Sequence, residues 1–420
     1  MNDRRRVWIT GIGPITAIGT GVEAFRAGLR AGCSPIKRID RFDPSPFRSQ
    51  VAAQVDDFDP LAWMPPKHAR QMDRFSQFGL VAGQLALEDA GLRPGEPGAA
   101  ARDRIGIFLG SALGGIAYAE DQHERYLDRG IKAVAPNLAL AVFGGAAPAN
   151  LGIALEVRGP ILSTANSCAS GAVALGEALN AIRNGEVDAA IAGGAEVPLS
   201  SLAFGAFDII RALSGGRNDD PGEACRPFDA GRDGFVMGEG ATLLVLEAEE
   251  VARARGAEPY AELMGYGATS DAHHMVQPRA DGREAGRAAT IALEDAGVAA
   301  EEIDWVSAHA SSTPLGDIAE ARAIALALGD RAATVPVSGT KALYGHPLGA
   351  SGAIEAGIAA LAFRDGWVPA SVNLDEPEPE IGSLLPGLLH EARGGEYRRI
   401  LSTSFGFGGL NAALVVGSTG

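Results

Sequence analysis

Cysteine is scarce in this chain: Cys33, Cys168 and Cys225 are the three in 420 residues. An odd and sparse set builds no disulfide framework. Basic residues are in deficit as well, 36 against 52 acidic ones, for a formal net charge of −16. That balance disfavours nucleic acid as the main partner, because phosphate binding needs a basic surface. It equally disfavours a purely electrostatic hold on an anionic membrane. The one basic cluster, Arg4-Arg5-Arg6, reads as a solvated terminus, and a local basic patch for an acidic partner stays open beside that. The opening MNDRRRVWITGIG lacks an apolar stretch of signal-peptide type. Residues 133–155 carry no charge and could span a bilayer by length alone. They are interrupted by Pro136, Asn137, Gly144, Gly145, Pro148 and Asn150, which suits a buried helix or a subunit interface better. The expectation is a soluble, cytoplasmic protein with neither nucleic acid nor membrane as partner.

What is present is a globular mix, 46% apolar and 21% charged, with length for two ordinary domains or one large one. Short apolar runs at 7–10, 105–109, 189–192, 241–246, 303–308 and 412–416 alternate with Ala-rich helical stretches at 75–90, 169–183, 285–296 and 318–328. Residues 7–15 read as a strand followed by a glycine turn. Alternating elements of this kind imply an α/β fold. The chain also repeats itself. LALEDAGL at 85–92 returns as IALEDAGV at 291–298, each closed by a glycine, Gly91 or Gly297, in the helix-capping position. ASGAVALGEAL at 169–179 returns as ASGAIEAGIAAL at 350–361. The two pairs recur in the same order, so the fold reads as an internal duplication, with halves 1–250 and 251–420. In that alignment Cys168 falls opposite Gly349.

Chemistry gathers at four places. Cys168 lies in PILSTANSCASGAVALGEALNAIRNG, an apolar strand end, a turn of small polar residues, then a helix starting at the cysteine and closed by Asn184-Gly185. Free N–H groups and the macrodipole at a helix N-terminus favour a thiolate, and the sharp strand-to-helix turn resembles the logic of a nucleophile elbow. Position alone leaves two readings open, an activated nucleophile and a small buried core cysteine. His309, in WVSAHASSTPLGD, ends an apolar strand. His346, in GTKALYGHPLGASGA, sits among small residues with Lys341 five positions earlier. Either histidine alone is more often structural; both at strand-to-helix junctions, with a helix-capped cysteine in the other half, form a stronger signal. The fourth place is SFGFGGLNAAL, where glycines around Phe405 and Phe407 let backbone N–H groups approach a ligand. One such N–H paired with that of Cys168 would make an oxyanion hole. His273 and His274 read as structural.

Taken together, VWITGIGPITAIG, RIGIFLGSALGG, the Cys168 turn, AAIAGGAE, RPFDAGRDGFVMGEGA, HASSTPLGDIAEA, GTKALYGHPLGASGAIEA and SFGFGGLNAAL resemble the β-ketoacyl-acyl-carrier-protein synthase family, the type II elongating ketosynthases of the thiolase superfamily, over essentially the whole chain. The resemblance implies a thiolase-like five-layered αβαβα fold of two pseudo-symmetric halves, 1–250 with the cysteine and 251–420 with the histidines, usually dimeric. It implies a 3-oxoacyl-ACP synthase performing decarboxylative Claisen condensation in fatty acid biosynthesis. Cys168 would be acylated, and His309 and His346 would bind the malonyl thioester and promote loss of carbon dioxide. Lys341 with Glu355 would hold the hydrogen-bond network. Cys168 and Phe407 would supply the oxyanion hole, with Phe407 gating the acyl pocket. Ser311 and Thr313 would contact the phosphopantetheine arm; Phe405, and Leu113 beside the acyl pocket, complete the substrate-binding set. No metal or resident cofactor is implied, since the acyl carrier protein partner carries the phosphopantetheine. A homodimer is expected and a heterodimer is possible.

Alternatives follow from the same residues. A ketosynthase of a polyketide or aryl-polyene pathway, or a non-catalytic partner subunit, would share the likeness, though such subunits usually lack the nucleophile. A biosynthetic thiolase needs a second cysteine near the C-terminus, and none follows Cys225. A chain-initiating synthase pairs cysteine with one histidine and one asparagine. A zinc site would want a further cysteine or carboxylate, and a cysteine hydrolase would not require the second histidine. Two departures stand out. His309-Ala310-Ser311-Ser312-Thr313 replaces the family's His-Gly-Thr-Ser-Thr, and Leu410 replaces a usual Thr. Gly144-Gly145-Ala146 also stand where relatives carry larger residues, so an enlarged pocket for a long or bulky acyl group is expected.

Overall fold

In the computed structural model, which describes residues 4–96 and 99–419, the N-terminal half contributes strands β1 (Val7–Thr16), β2 (Ile105–Gly110), β3 (Ile161–Thr164), β4 (Ala189–Glu196) and β5 (Gly240–Ala248). The C-terminal half contributes β6 (Ala261–Ser270), β7 (Trp305–Ala308), β8 (Val337–Gly339), β9 (Arg399–Gly406) and β10 (Leu410–Gly417). The first set runs in space as β3-β2-β4-β5-β1 and the second as β8-β7-β9-β10-β6. Adding five to each number of the first order gives the second. Directions repeat too: β2 is parallel to β3 and β4, as β7 is to β8 and β9, and the remaining neighbours are antiparallel. The two sheets join where β1 meets β6, through Trp8–Glu262 and Ile9–Ala261.

Helices complete five layers, with six that matter here: α1 (Arg74–Asp89), α2 (Ala146–Leu155), α3 (Ser170–Arg183), α4 (Arg283–Ala296), α5 (Pro314–Leu328) and α6 (Ser351–Asp365). α1 and α2 cover one sheet, α4 and α5 cover the other, and α3 and α6 lie between the two sheets. From Ser351 to Ala362 every residue of α6 is buried, as expected of a helix enclosed on all sides. α3 and α6 touch at the repeated ASGA segments. A Cβ on Gly352 would come within 2.8 Å of the Ala172 Cβ, and one on Gly171 within 3.2 Å of the Ala353 Cβ.

The second repeat has a physical explanation as well. In β1, a Cβ on Gly11 or Gly13 would sit 2.2 or 1.9 Å from the carbonyl oxygens of Ala86 and Ala82 on α1. In β6, Gly265 and Gly267 stand in the same relation, 2.2 Å in both cases, to Ala292 and Ala288 on α4. The aspartate of each LALEDAG-type segment accepts from the N–H between the paired glycines: Asp89 from Ile12 at 2.9 Å and Asp295 from Tyr266 at 3.1 Å. Both strands shift register at the equivalent place, beside Thr10 and Met264. The glycines of residues 7–15 are therefore strand residues that receive a helix backbone, and the glycine turn expected there is absent because β1 continues unbroken to Thr16. Gly91 and Gly297 do cap their helices, at φ 57° and 65°.

Arg4-Arg5-Arg6 is also more engaged than its sequence implied. Arg5 pairs with Asp188 and Glu250 and donates to the carbonyls of Ile182 and Val187; Arg6 pairs with Glu249 and Glu262; Arg4 pairs with Asp295. The segment meets carboxylates of both halves, and Arg5 adds the two carbonyl contacts. The charge-free residues 133–155 are split between a short helical turn and α2, whose buried face is Ala146, Ala147, Pro148, Leu151 and Gly152. Among the described residues no helix is long and apolar enough to cross a membrane.

If the glycine pairs exist to admit the outer helices, Gly13→Ala and Gly267→Ala should each cost about 2–3 kcal/mol or more, the range for overpacking a rigid contact. Urea denaturation of the two variants measures this, and a change under about 0.5 kcal/mol in either would contradict it.

Candidate active site

Each half ends its third strand in the same way, with a tight turn feeding a central helix. In the first, Ser167 takes φ 52° and Cys168 sits in a 3-10 turn, Ser167–Ala169, ahead of α3. The cysteine thus precedes the α-helix rather than beginning it, and a strained non-glycine residue sets its direction. In the second, Leu348 takes φ 33° and Gly349 occupies the matching place in the turn Leu348–Ala350 ahead of α6. Because α3 and α6 touch at their first turns, Cys168 faces the loop that precedes α6. That loop carries His346, whose Nε2 lies 3.1 Å from Cys168 Sγ.

His309 follows β7 and stacks edge to face on His346, ring centroids 5.3 Å apart. Its backbone is held from behind. The His309 N–H donates to Glu320 at 2.7 Å and to Thr403 Oγ1 at 3.2 Å, and the Ala310 N–H donates to Glu320 at 2.6 Å. Its side chain meets Lys341, with Nζ 3.4 Å from His309 Nδ1. Lys341 also donates to the His309 carbonyl and to Glu355, and both charged residues are fully buried. An ammonium has three protons and no lone pair, so these three acceptors satisfy it. The far nitrogen of His346 faces a hydroxyl instead, Ser351 Oγ at 2.8 Å from Nδ1.

These groups open onto one cavity of about 340 Å³, lined by Cys168, His309, His346, Ser311, Thr313, Phe405 and Phe407 among others. The hairpin between β9 and β10 comes close to the cysteine: a Cβ on Gly406 would lie 3.0 Å from the Cys168 backbone nitrogen. The Phe407 N–H is directed at the thiol, and the Phe407 ring stacks on Phe207 at 6.1 Å. Ser311 and Thr313 share a hydroxyl contact of 3.1 Å. Ala310, where a glycine was expected from the family pattern, holds φ 37°, a conformation that costs a residue bearing a Cβ.

The remaining expected residues lie off the cavity wall. Lys341 and Glu355 sit behind His309. Leu113 does not line the cavity; it packs into the apolar cluster around Cys168 with Phe204, Phe207 and Phe235. Gly144, Gly145 and Ala146 do not line it either, so within one subunit they add no volume to it. Gly144 instead accepts from Ser163 Oγ at 2.9 Å, beside the exposed strand β3. His274 accepts from the N–H groups of Val276 and Gln277 in its own loop, a structural arrangement.

Electrostatics correct one expectation. Burial pushes the Cys168 thiol up to about 11, against the opposing pull of Ser167, Lys341 and the Phe407 N–H. The helix terminus does not leave a resting thiolate. Burial, and then the Lys341 charge, push both histidines well below the usual range, so both rings are neutral. The arrangement is thus a protonated thiol against a neutral imidazole that can take its proton, beside a second neutral imidazole.

Sequence reasoning missed Ser351, Glu196, Glu320, Thr403 and Phe207. Glu196 had a signal, a carboxylate ending the apolar strand AAIAGGAE. It accepts from the Ser111 hydroxyl and from the N–H groups of Ala112, Leu113 and Gly349, tying the two turns together. Among the described residues no group of three or more His, Cys, Asp and Glu side chains is placed to hold a metal ion.

The chain matches the family models for the Beta-ketoacyl synthase N-terminal domain over residues 4–252 and the C-terminal domain over residues 260–375. It is 42% identical over 414 residues to the 3-oxoacyl-[acyl-carrier-protein] synthase 2 of Vibrio cholerae, covering 98% of this chain and 99% of that one. The same enzyme of Staphylococcus aureus is 40% identical over 99% of both chains. Among solved structures, a Beta-ketoacyl synthase from Burkholderia phymatum matches with TM-score 0.91 at 37% identity, over 99% of this chain and all of that one. The ishigamide ketosynthase/chain length factor matches with TM-score 0.91 at 36% identity over the same shares.

A thiol held up near 11 by burial should be alkylated slowly at neutral pH. Its thiolate fraction, and with it the rate of iodoacetamide modification of Cys168, should climb roughly tenfold per pH unit from about pH 7 to about pH 10. Peptide mass mapping across that range checks this, and a plateau near pH 8 would show a thiolate already formed.

Proposed function

This chain belongs to the beta-ketoacyl synthase family, and on that premise we propose that it is a 3-oxoacyl-ACP synthase that extends acyl chains in fatty acid biosynthesis through Cys168, His309 and His346. The observation that carries the reading is the convergence in one buried cavity of the Cys168 sulfur, 3.1 Å from His346 Nε2, with the His309 ring stacked on His346.

The chemistry runs in two halves. The Cys168 sulfur attacks an acyl thioester, its proton passing to His346 and then to the departing phosphopantetheine thiolate. A carbon–sulfur bond forms as another breaks, leaving an acyl-enzyme. Malonyl-ACP then loses carbon dioxide, the electrons of the broken carbon–carbon bond collecting on the thioester oxygen as an enolate. N–H donors of two neutral imidazoles stabilise that oxygen in a water-poor site. The enolate carbon attacks the acyl carbonyl, whose oxyanion is met by the N–H groups of Cys168 and Phe407; the carbonyl re-forms as the carbon–sulfur bond breaks, and the expelled Cys168 thiolate takes up a proton from water. Decarboxylation creates the carbanion, so no base has to remove an α-proton.

Lys341 and Glu355 act here as positioning residues for His309. Ser311, Thr313 and Phe405 line the channel for the phosphopantetheine arm, and Phe407, stacked on Phe207, gates the acyl side. Leu113 contributes to the apolar surroundings of the sulfur. The partner is an acyl carrier protein, which brings the phosphopantetheine itself, so no resident cofactor is invoked. Arg211 lines the cavity as an exposed positive charge, which suits an acidic carrier. We read residues 1–250 and 251–420 as the cysteine-bearing and histidine-bearing halves, and the cytoplasm as the location. The proposed assembly is a homodimer. β3 ends its sheet with Ile161 and Leu162 exposed, and Leu140, Phe143 and Ile153 extend that apolar surface, a combination that calls for a covering partner.

Incubation with acyl-ACP should add one acyl mass to Cys168, and subsequent malonyl-ACP should release a 3-oxoacyl product; Cys168→Ala should abolish both. An unmodified cysteine in the intact-mass spectrum would overturn the reading. Cys168→Gln should retain carbon dioxide release from malonyl-ACP while losing condensation, because the imidazoles handle decarboxylation without the thiol. Loss of that release would count against the division of labour.

A further inference from the structure

The two histidines differ in what holds the nitrogen that faces away from the cavity. His309 Nδ1 meets the Lys341 ammonium, which can only donate, so the ring proton of His309 is fixed on Nε2. His346 Nδ1 meets the Ser351 hydroxyl, which can donate or accept. One imidazole is locked in a single tautomer, and the other is not.

The duplication shows why this hydroxyl is free. Ser170, the counterpart of Ser351, uses its hydroxyl inside its own turn, accepting from the Asn166 N–H at 2.8 Å and donating to the Ser167 carbonyl at 2.6 Å. In the second half the position of Asn166 is Pro347, which has no N–H to give. Among the described residues the Ser351 hydroxyl makes one hydrogen bond, to His346. Ser351 is fully buried and His346 is 2% exposed, so water does not substitute for either partner.

We propose that Ser351 is a positioning residue that acts through His346, reversing its O–H so that the same imidazole accepts the Cys168 proton during acyl loading and donates an N–H during decarboxylation. The inference rests on the ketosynthase reading above. For loading, Nδ1 carries the ring proton and donates to Ser351 while the Nε2 lone pair receives the thiol proton; the transient imidazolium then gives its Nε2 proton to the leaving thiolate. For decarboxylation the Ser351 hydroxyl donates to Nδ1 and Nε2–H points at the enolate oxygen. Between the half-reactions, while one carrier is replaced by the next, the ring changes tautomer by proton exchange with water that reaches it only transiently, one proton leaving Nδ1 and one arriving at Nε2. The titratable and charged groups facing the pair are Cys168 from the first turn, His309 from the loop after β7 and Lys341 from the loop after β8. One contact further are Glu355 on Lys341 and Glu196 on the Gly349 N–H.

The test compares two rates in the full-length chain with and without Ser351→Ala: acylation of Cys168 by acyl-ACP, followed by intact mass, and carbon dioxide release from malonyl-ACP in the Cys168→Gln background. Loss of the hydroxyl strands a buried N–H in the loading tautomer but only a bare lone pair in the other. Acylation should therefore slow by roughly ten times the factor by which decarboxylation slows. Ser351→Thr, which keeps an oxygen on Cβ, should bring the ratio back. Equal losses in both rates would mean that Ser351 only packs and would overturn the inference, as would unchanged acylation in Ser351→Ala. Absence of any acyl adduct on the parent Cys168 would instead overturn the ketosynthase reading, whatever Ser351 does.

Discussion

The close crossing of α3 and α6 is the constraint on which the site depends. At the crossing the two helices meet through glycine and alanine, at Gly171, Ala172, Gly352 and Ala353. Larger residues would push the first turns apart by the width of a side chain. Cys168 belongs to one of those turns and His346 to the approach to the other, so the 3.1 Å contact between them has no slack to absorb such a shift. Burial follows from the same geometry. A sulfur enclosed between two sheets is desolvated and held as a thiol, with a neutral imidazole beside it.

The enclosure also sets the character of the histidines. An imidazolium is costly in a dry site, and the Lys341 charge adds to the cost, so both rings rest neutral. A neutral imidazole is a donor on one side and an acceptor on the other, and its orientation is worth only what its back partner enforces. The buried Lys341–Glu355 pair brings a donor-only group to His309 without leaving a lone charge in the interior. Breaking such a pair by removing one member is the expensive event, which is reason to see this pair as the frame on which His309 hangs.

Much of this was legible in the residues and some of it was not. The two sequence repeats gave the duplication because each encodes a contact: the LALEDAG-type segments place an alanine and an aspartate against a Gly-x-Gly strand, and the ASGA segments make the central crossing. Cys168, His309 and His346 stood out because each breaks an apolar strand-to-helix junction. Ser351 did not, because a serine at the start of a helix looks like a cap, and its partner is decided by the missing N–H of Pro347. The Cys168 thiol was misjudged for a related reason. Helix position is written in sequence, whereas the depth of burial that outweighs it is a property of both sheets together. Arg4-Arg5-Arg6 is solvent-facing as read, but its ion pairs were not legible because the carboxylate partners come from as far as Glu262 and Asp295 in the chain.

The duplication explains, finally, why there is one thiol position and not two. The turn before α6 matches the turn before α3 in backbone, yet its tip is Gly349. A Cβ there would lie 2.5 Å from the Ala112 nitrogen and 2.7 Å from Glu196 Oε2. The carboxylate of Glu196 fills that space while gathering the N–H groups of Ala112, Leu113 and Gly349. The second half therefore has no room for a side chain at the equivalent point, and its turn instead carries His346 before it, against the Cys168 sulfur, and Ser351 after it, against His346. Divergence of the copies is a steric consequence of their contact. Two equal turns meeting at a shared crossing cannot both present a side chain to the same few ångströms, and the half that yields the space supplies the imidazole that faces the thiol.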